Sequence, residues 1–443
     1  MNIQLSDHFT YKRLLRYTLP SIVMMVFTSI YGVVDGFFVS NFVGKTPFTA
    51  VNFIYPVLII LGCAGFMFGT GGGALIAKTM GEGGRERANS LFSLVIYAAA
   101  VCGVALEALG LALVRPAAAA LGAQGQLLED SVVYARVIML ALPAYILQYA
   151  FQCLFATAGK PALGLAVTIA AGCANMVLDA LFVAVFKWGL VGAAAATAAS
   201  QLVGGVLPLV YFARPNPSLL RLGKTRLDWR ALGKVCTNGS SELLSNISMS
   251  VVSMLYNAQL LRYAGEDGVA AYGVLMYVCF VFLAIFIGYS MGVSPVVGYH
   301  YGAKNREELH SLLRHSVILL GVFSLVMCLA GETLGRPLSL LFVGYDAGLL
   351  EMTVHAFKIF SLSFLFSGFA IFGSAFFTAL NDGLTSALIS FLRTLLFQCA
   401  AVLLFAALWG LDGIWWSIVA AEAMAVAVTQ VFLVLKQKQY GYF

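Results

Sequence analysis

Apolar residues run through this chain in long blocks separated by short polar intervals. A helix needs about 20 apolar residues to cross a bilayer. Blocks of that length fall at 14–40, 47–77, 90–114, 131–156, 162–186, 190–213, 236–262, 269–299, 312–332, 352–379, 384–407 and 411–435. They predict twelve membrane-crossing helices, spans 1 to 12. One interval is much longer than the rest: RPNPSLLRLGKTRLDWRALGKV at 214–235, with Pro215, Pro217 and six basic residues. It predicts a linker between a first lobe, 1–213, and a second, 236–443, of six spans each.

Composition agrees. Of the 443 residues 61% are hydrophobic and 10% charged, against about 25% charged in a soluble protein. The expected class is therefore an all-α polytopic membrane protein. Met1–Thr10 is polar and no small-residue cleavage site follows a short apolar core, so the first block is expected to be a retained span. The net charge of +6 does not point to nucleic acid, because the basic residues gather in loops. With the N-terminus inside, only Lys45, Arg115, Arg136, Lys187, Arg262, Arg336, Lys358 and Arg393 of the 26 Lys and Arg fall in outer loops or spans. That bias predicts cytoplasmic termini and a cytoplasmic linker in a cell membrane, the inner one in a Gram-negative organism.

Several motifs carry no chemistry. The eight Cys are scattered singly with no CxxC pair, which suits small apolar packers. The five His form no ligand pair, and no nucleophile–base set stands out. Gly72-GALIAK-Thr79 resembles a phosphate loop, but Ala77 replaces the needed Gly and no strand precedes it. Its glycines fit close helix packing instead. No cofactor and no catalytic residue is expected.

The halves echo one another. Gly81-EGGRER follows span 2 and Gly302-AKNREE follows span 8, an offset of 302 − 81 = 221. The same offset aligns Gly71 with Gly292, Gly44 with Gly265, and Trp188-Gly-Leu-Val-Gly192 with Trp409-Gly-Leu-Asp-Gly413. Six spans return the chain to its starting side, so the duplication is parallel. Paired halves with a site near their junction are a common transporter plan.

Polar groups inside the spans are the candidate chemistry. Asn175 and Asp179 are four residues apart in span 5 and share one helix face. An Asp at bilayer depth costs roughly 2.5–3.5 kcal/mol on insertion scales and normally faces a partner or a cavity. Asp35 lies nine residues before Gly44, the expected first outer turn; Asp179 lies nine before Trp188, and Thr197 nine after it. At ~1.5 Å per residue all sit about 13 Å below the outer helix ends. Two carboxylates in one dry layer cannot both stay charged unaided: one takes a proton, or a cation sits between them. Asp, Asn and Thr offer hard oxygen ligands, which suit H⁺ or Na⁺.

Pro20 in span 1, Asp35 within 31–44, Tyr55-Pro56 in span 2, the Gly-rich end of span 2 running into Gly81-EGGRERA-Asn89, the second-half echoes and the Asn175/Asp179 pair give the chain its likeness. It resembles the MATE (multidrug and toxic compound extrusion) family of secondary transporters along nearly its whole length. The resemblance implies two six-helix lobes forming a V around a central cavity, and a cation site in the first lobe matching Asp35, Asn175, Asp179 and Thr197. The expected function is H⁺- or Na⁺-coupled antiport of organic, cationic or amphipathic compounds by a monomer in the lipid bilayer.

Cavity-wall candidates are Tyr31, Phe38, Tyr145, Gln148, Tyr149 and Gln152 in the first half, and Tyr256, Met276, Tyr277 and Phe280 in the second. Asp35 maps onto Tyr256 or Asn257, and Asp179 onto Ala400 or Ala401, so no second cation site is expected. Glu242 and Glu422 lie off the matching positions, and Glu422 is expected to pair with Arg393. Arg136 and Lys358 are expected to snorkel to the interface; Glu107 has no assigned role. The alternatives are a lipid-linked saccharide flippase of the related superfamily, a cation channel, or an intramembrane enzyme.

Overall fold

The computed structural model describes residues 3–43 and 45–442, so the turn expected at Gly44 lies outside the described residues. Among those described there is no strand. Span 1 is Tyr11–Phe38 with a π turn, Val39–Val43. Span 2 is Lys45–Gly62 with Ala64–Gly81, and span 3 is Arg85–Ala120. Span 4 is Gly125–Met139 with Leu142–Thr157, span 5 Pro161–Asp179 with a π turn Ala180–Val185, and span 6 Gly189–Ala213.

Spans 7 and 8 share the helical stretch Trp229–Gly302. Its 74 residues would reach about 110 Å if straight, several bilayers. The chain turns back at Gly265, whose φ of 65° and ψ of −152° suit only glycine. A Cβ on Gly268 would lie 3.2 Å from the Leu260 carbonyl oxygen, although residues eight apart in a continuous helix are about 12 Å apart. Span 9 is Arg306–Val343, and span 10 is Ala347–Ser361 with Phe364–Ala379. Span 11 runs from Gly383 to a second reversal at Gly410 (φ 63°), and span 12 ends at Tyr440. Gly410 is the 221-residue counterpart of Gly189, whose φ is 61°. Spans 4 and 10 are bent at matching places, by 60° and 50°.

The expected linker is shorter in the structure. Asp228 accepts hydrogen bonds from the Arg230 and Ala231 amides at 3.0 Å and starts span 7 at Trp229. An Asp N-cap outweighs the polar composition of the residues that follow. Only 214–228 stays non-helical.

The halves meet at the end that carries the termini and the connector. Gly81 lies against the Tyr299 carbonyl, and its counterpart Gly302 against that of Lys78. Gly71 abuts Val235 and Gly239 abuts Met67; a Cβ on Gly292, the counterpart of Gly71, would lie 3.0 Å from Thr18. Missing side chains let backbones approach at these crossings. The glycines around the false phosphate loop do the same, with Gly69 against Ala150 of span 4 and Gly72 against Val95 of span 3.

A strap formed by the N-terminal segment closes this end further. The Phe9 amide donates to Glu308 at 2.8 Å, His8 Nδ1 meets the same carboxylate at 2.6 Å, and His315 Nδ1 donates to the Phe9 carbonyl at 3.1 Å. Phe9 is buried between Tyr17 and His300. Toward the opposite end Tyr55 and Phe280 are exposed, and the halves part as a V.

Gly302→Val forces a branched side chain into the Lys78 carbonyl. Spin labels at Arg85 and Arg314 should move apart and the thermal midpoint should fall, as expected for overpacking worth about 1–3 kcal/mol. An unchanged distance and midpoint would show that this crossing does not hold the halves together.

Candidate functional site

Small residues let span 1 settle on span 5. Gly172 leaves room for the Phe27 and Tyr31 rings, 2.5 and 3.3 Å from where its Cβ would be. That contact brings Asp35, one turn beyond Tyr31, over the Asn175/Asp179 face. The structure brings the three residues of the depth count together with Asn175: Asp35 interacts with Asp179, Thr197 and Asn175. Thr197 Oγ1 lies 3.4 Å from Asp35 Oδ1 and 3.1 Å from the Ala193 carbonyl, so its single proton has two competing acceptors.

The other two members are unsatisfied. Asp179 is 0% exposed. Both of its carboxylate oxygens, and both polar atoms of buried Asn175, lack a hydrogen-bond partner. A buried polar atom without a partner costs about 1–3 kcal/mol, and a charged one more. Facing a second carboxyl, this set has the composition of a seat for a proton or a small hard cation. Both acids also precede π turns: Asp179 directly adjoins Ala180–Val185, and Asp35 stands four residues before Val39–Val43. Such turns recur at functional sites.

Tyr134 of span 4 was missed in the sequence. It is buried and lies near Thr197 and both acids. The signal was present: Tyr134 is nine residues after Gly125, where span 4 starts, the same count that located Asp35, Asp179 and Thr197.

Below the acids lies a Tyr/Gln cluster. The Tyr145 and Tyr149 hydroxyls are 2.9 Å apart, and Tyr149 stacks on Phe66 at 4.2 Å. Gln148 interacts with the Tyr31 hydroxyl and fills the space left by Gly204. Tyr55 is 47% exposed yet neighbours Asp35, so its ring lines a cavity. Gln152 is buried with no partner for its amide. Phe38 stacks on Phe42 at 5.8 Å.

The second half is arranged differently. Tyr256, the counterpart of Asp35, does not line the cavity. It is buried inside its own bundle, with its hydroxyl 2.8 Å from Gln398 and 2.7 Å from Ser417 and its ring stacked on Tyr272. Met276 packs on the core of that half, Tyr277 stacks on Phe342 of span 9, and the carbonyl of exposed Phe280 lies 3.5 Å from Ser29 of span 1. Arg393 and Glu422 form the expected pair, at 2.9 Å and largely buried. Arg136 and Lys358 are both exposed, as snorkelling requires.

Among known proteins, the MatE family model matches residues 20–181 and 243–403, one stretch in each half. The multidrug export protein MepA of Staphylococcus aureus (strain MRSA252) is 24% identical over 428 residues, 96% of this chain and 94% of its own. A crystal structure of a MATE protein in complex with MaL6 superposes with a TM-score of 0.93 at 21% identity, covering 98% of both chains. The outward-facing conformation of a multidrug resistance MATE transporter of the MOP superfamily superposes equally well, 0.93 at 21% identity, over 100% of this chain and 99% of the other.

Glu422→Gln leaves Arg393 buried and unpaired and should lower unfolding stability by about 3 kcal/mol. Replacing both residues with Met should recover most of the loss. A single variant as stable as the parent would show that the pair is not structural.

Proposed function

This chain belongs to the MATE family, and on that premise we propose that it is a cation-coupled antiporter exporting organic, cationic or amphipathic compounds. Proteins of this family are membrane transporters, not enzymes. MepA is named as a multidrug exporter, and the same class of cargo is the reading for this chain. On this reading residues 1–213 and 236–443 are the two lobes, with the connector 214–228 and the first turns of span 7 between them, the termini on the cytoplasmic side of the cell membrane and the monomer as working unit.

The observation that carries the proposal is the unpartnered Asp179/Asn175 set facing Asp35. H⁺ or Na⁺ enters there as a co-transported substrate. Asp35 and Asp179 supply the charge, Asn175 a carbonyl oxygen, and Thr197 and Tyr134 hydroxyls. A bound cation relieves the repulsion between the acids and favours the lobe arrangement in which spans 1, 5 and 6 close on it. Organic substrate, held by the rings of Tyr31, Tyr55, Tyr145 and Tyr149 through aromatic faces that attract cations, favours another arrangement. Each ligand moves the equilibrium only by its difference in affinity between the two. Exchange follows when neither arrangement accepts both ligands at once.

Proteoliposomes with an imposed pH or Na⁺ gradient and a fluorescent cationic dye test this. Wild-type protein should accumulate dye against its gradient under one of the two ions. Asp35→Asn and Asp179→Asn, inserted and folded, should lose coupled transport at least a hundredfold. Dye export at the wild-type rate by either variant would overturn the coupling role. Cation flux without dye counterflow would favour a channel.

A further inference from the structure

We propose that the connector between the halves is a binding surface for anionic phospholipid. Lys224, Arg226, Arg230 and Lys234 hold the headgroups of the leaflet on that side, and Leu227 and Trp229 enter the acyl boundary. The inference is independent of the transport reading and of which side is cytoplasmic.

The connector is fastened in place. The Arg221 amide donates to Asn89 Oδ1 at 3.0 Å and the Gly223 amide to Ser93 Oγ at 2.9 Å. Tyr97 OH donates to the Gly223 carbonyl at 3.1 Å, and Thr225 Oγ1 to the Ser90 carbonyl at 2.8 Å. Residues 221–225 therefore lie along the first turns of span 3. Just beyond the staple, Tyr97, Val101 and Val104 form an exposed apolar stripe on that helix, the face a lipid-facing span presents. The connector thus sits at the level of the bilayer surface.

Two large apolar side chains stand out there: Leu227 is 63% exposed and Trp229 74%. Trp is enriched where headgroups meet acyl chains. Around them Lys224, Arg226, Arg230 and Lys234 are all exposed. Among the described residues none of the four is in an ion pair. Asp228, the single acid within 221–234, is turned back to cap span 7. Ala231 and Val235 are buried while Arg230 and Lys234, one helical turn apart, face outward. An acidic protein or a nucleic acid would match the charges and leave Leu227 and Trp229 in water. An anionic bilayer surface matches both, and basic clusters beside a span are known to recruit such lipids.

The test uses the full chain in detergent with added lipid, read by native mass spectrometry. The wild type should retain phosphatidylglycerol in preference to phosphatidylcholine. Lys224→Gln/Arg226→Gln should weaken that retention by about tenfold or more, Lys224→Arg should not, and soluble glycerol phosphate should not displace the lipid. In bilayers carrying a shallow nitroxide-labelled lipid, the Trp229 fluorescence, taken as the difference between wild type and Trp229→Phe, should be strongly quenched. Equal retention by wild type and the Gln variant would overturn the proposal. So would displacement by glycerol phosphate, or an unquenched Trp229.

Discussion

A carboxylate without a partner in an apolar helix bundle is the constraint from which the rest follows. Asp179 is fully buried and neither of its carboxylate oxygens makes a hydrogen bond of normal geometry, while a second acid, Asp35, stands close enough to interact with it. Hydrocarbon-packed helices gain nothing from such a group, and charge there is costly. A structure that keeps it needs a reason outside packing, and a titratable or cation-filled seat is one. The surrounding scaffold fits that need. Gly172 lets the rings of span 1 approach span 5, a π turn follows each acid within four residues, and Thr197 offers a hydroxyl already divided between two acceptors.

The second half shows what the same architecture does without that constraint. Tyr256 occupies the place of Asp35 and is satisfied by Gln398 and Ser417 from spans 11 and 12. Arg393 and Glu422 tie the same two helices together with opposite charges. A hydrogen-bonded tyrosine and a fixed ion pair tie spans 7, 11 and 12 together at that level. The counterpart level of the first half keeps unsatisfied groups, as the proposed cation seat requires. Pseudo-symmetry holds for the backbone, down to matched reversals at Gly189 and Gly410 and matched crossings at Gly81 and Gly302. It breaks where the proposed chemistry lies.

Hydropathy and the repeat made most of the architecture legible. All twelve spans, the reversals at Gly265 and Gly410 and the glycine crossings rest on local features: block length, a residue that tolerates positive φ, a missing side chain. Counting residues from the turns placed Asp35, Asp179 and Thr197 in one layer, because helix rise converts number into depth. What stayed hidden depends on which helix faces go where. Tyr256 reads as a cavity tyrosine until spans 11 and 12 are seen to close over it. Tyr134 lies at the same depth, nine residues into span 4 from Gly125, but a tyrosine in an apolar span carries no charge to mark it. The connector is shorter than its polar composition implies because a single capping Asp, Asp228, decides where span 7 begins.

The most direct test is infrared difference spectroscopy of the purified protein in lipid, following the carbonyl stretch of a protonated carboxyl group. If Asp35 and Asp179 form a seat for a proton or a cation, the wild type should show a buried protonated-carboxyl band near neutral pH. Raising the pH or adding Na⁺ should remove it, and both Asp35→Asn and Asp179→Asn should lack it or shift it. A spectrum in which no carboxyl band responds to either ion, or one that both variants leave unchanged, would contradict the account.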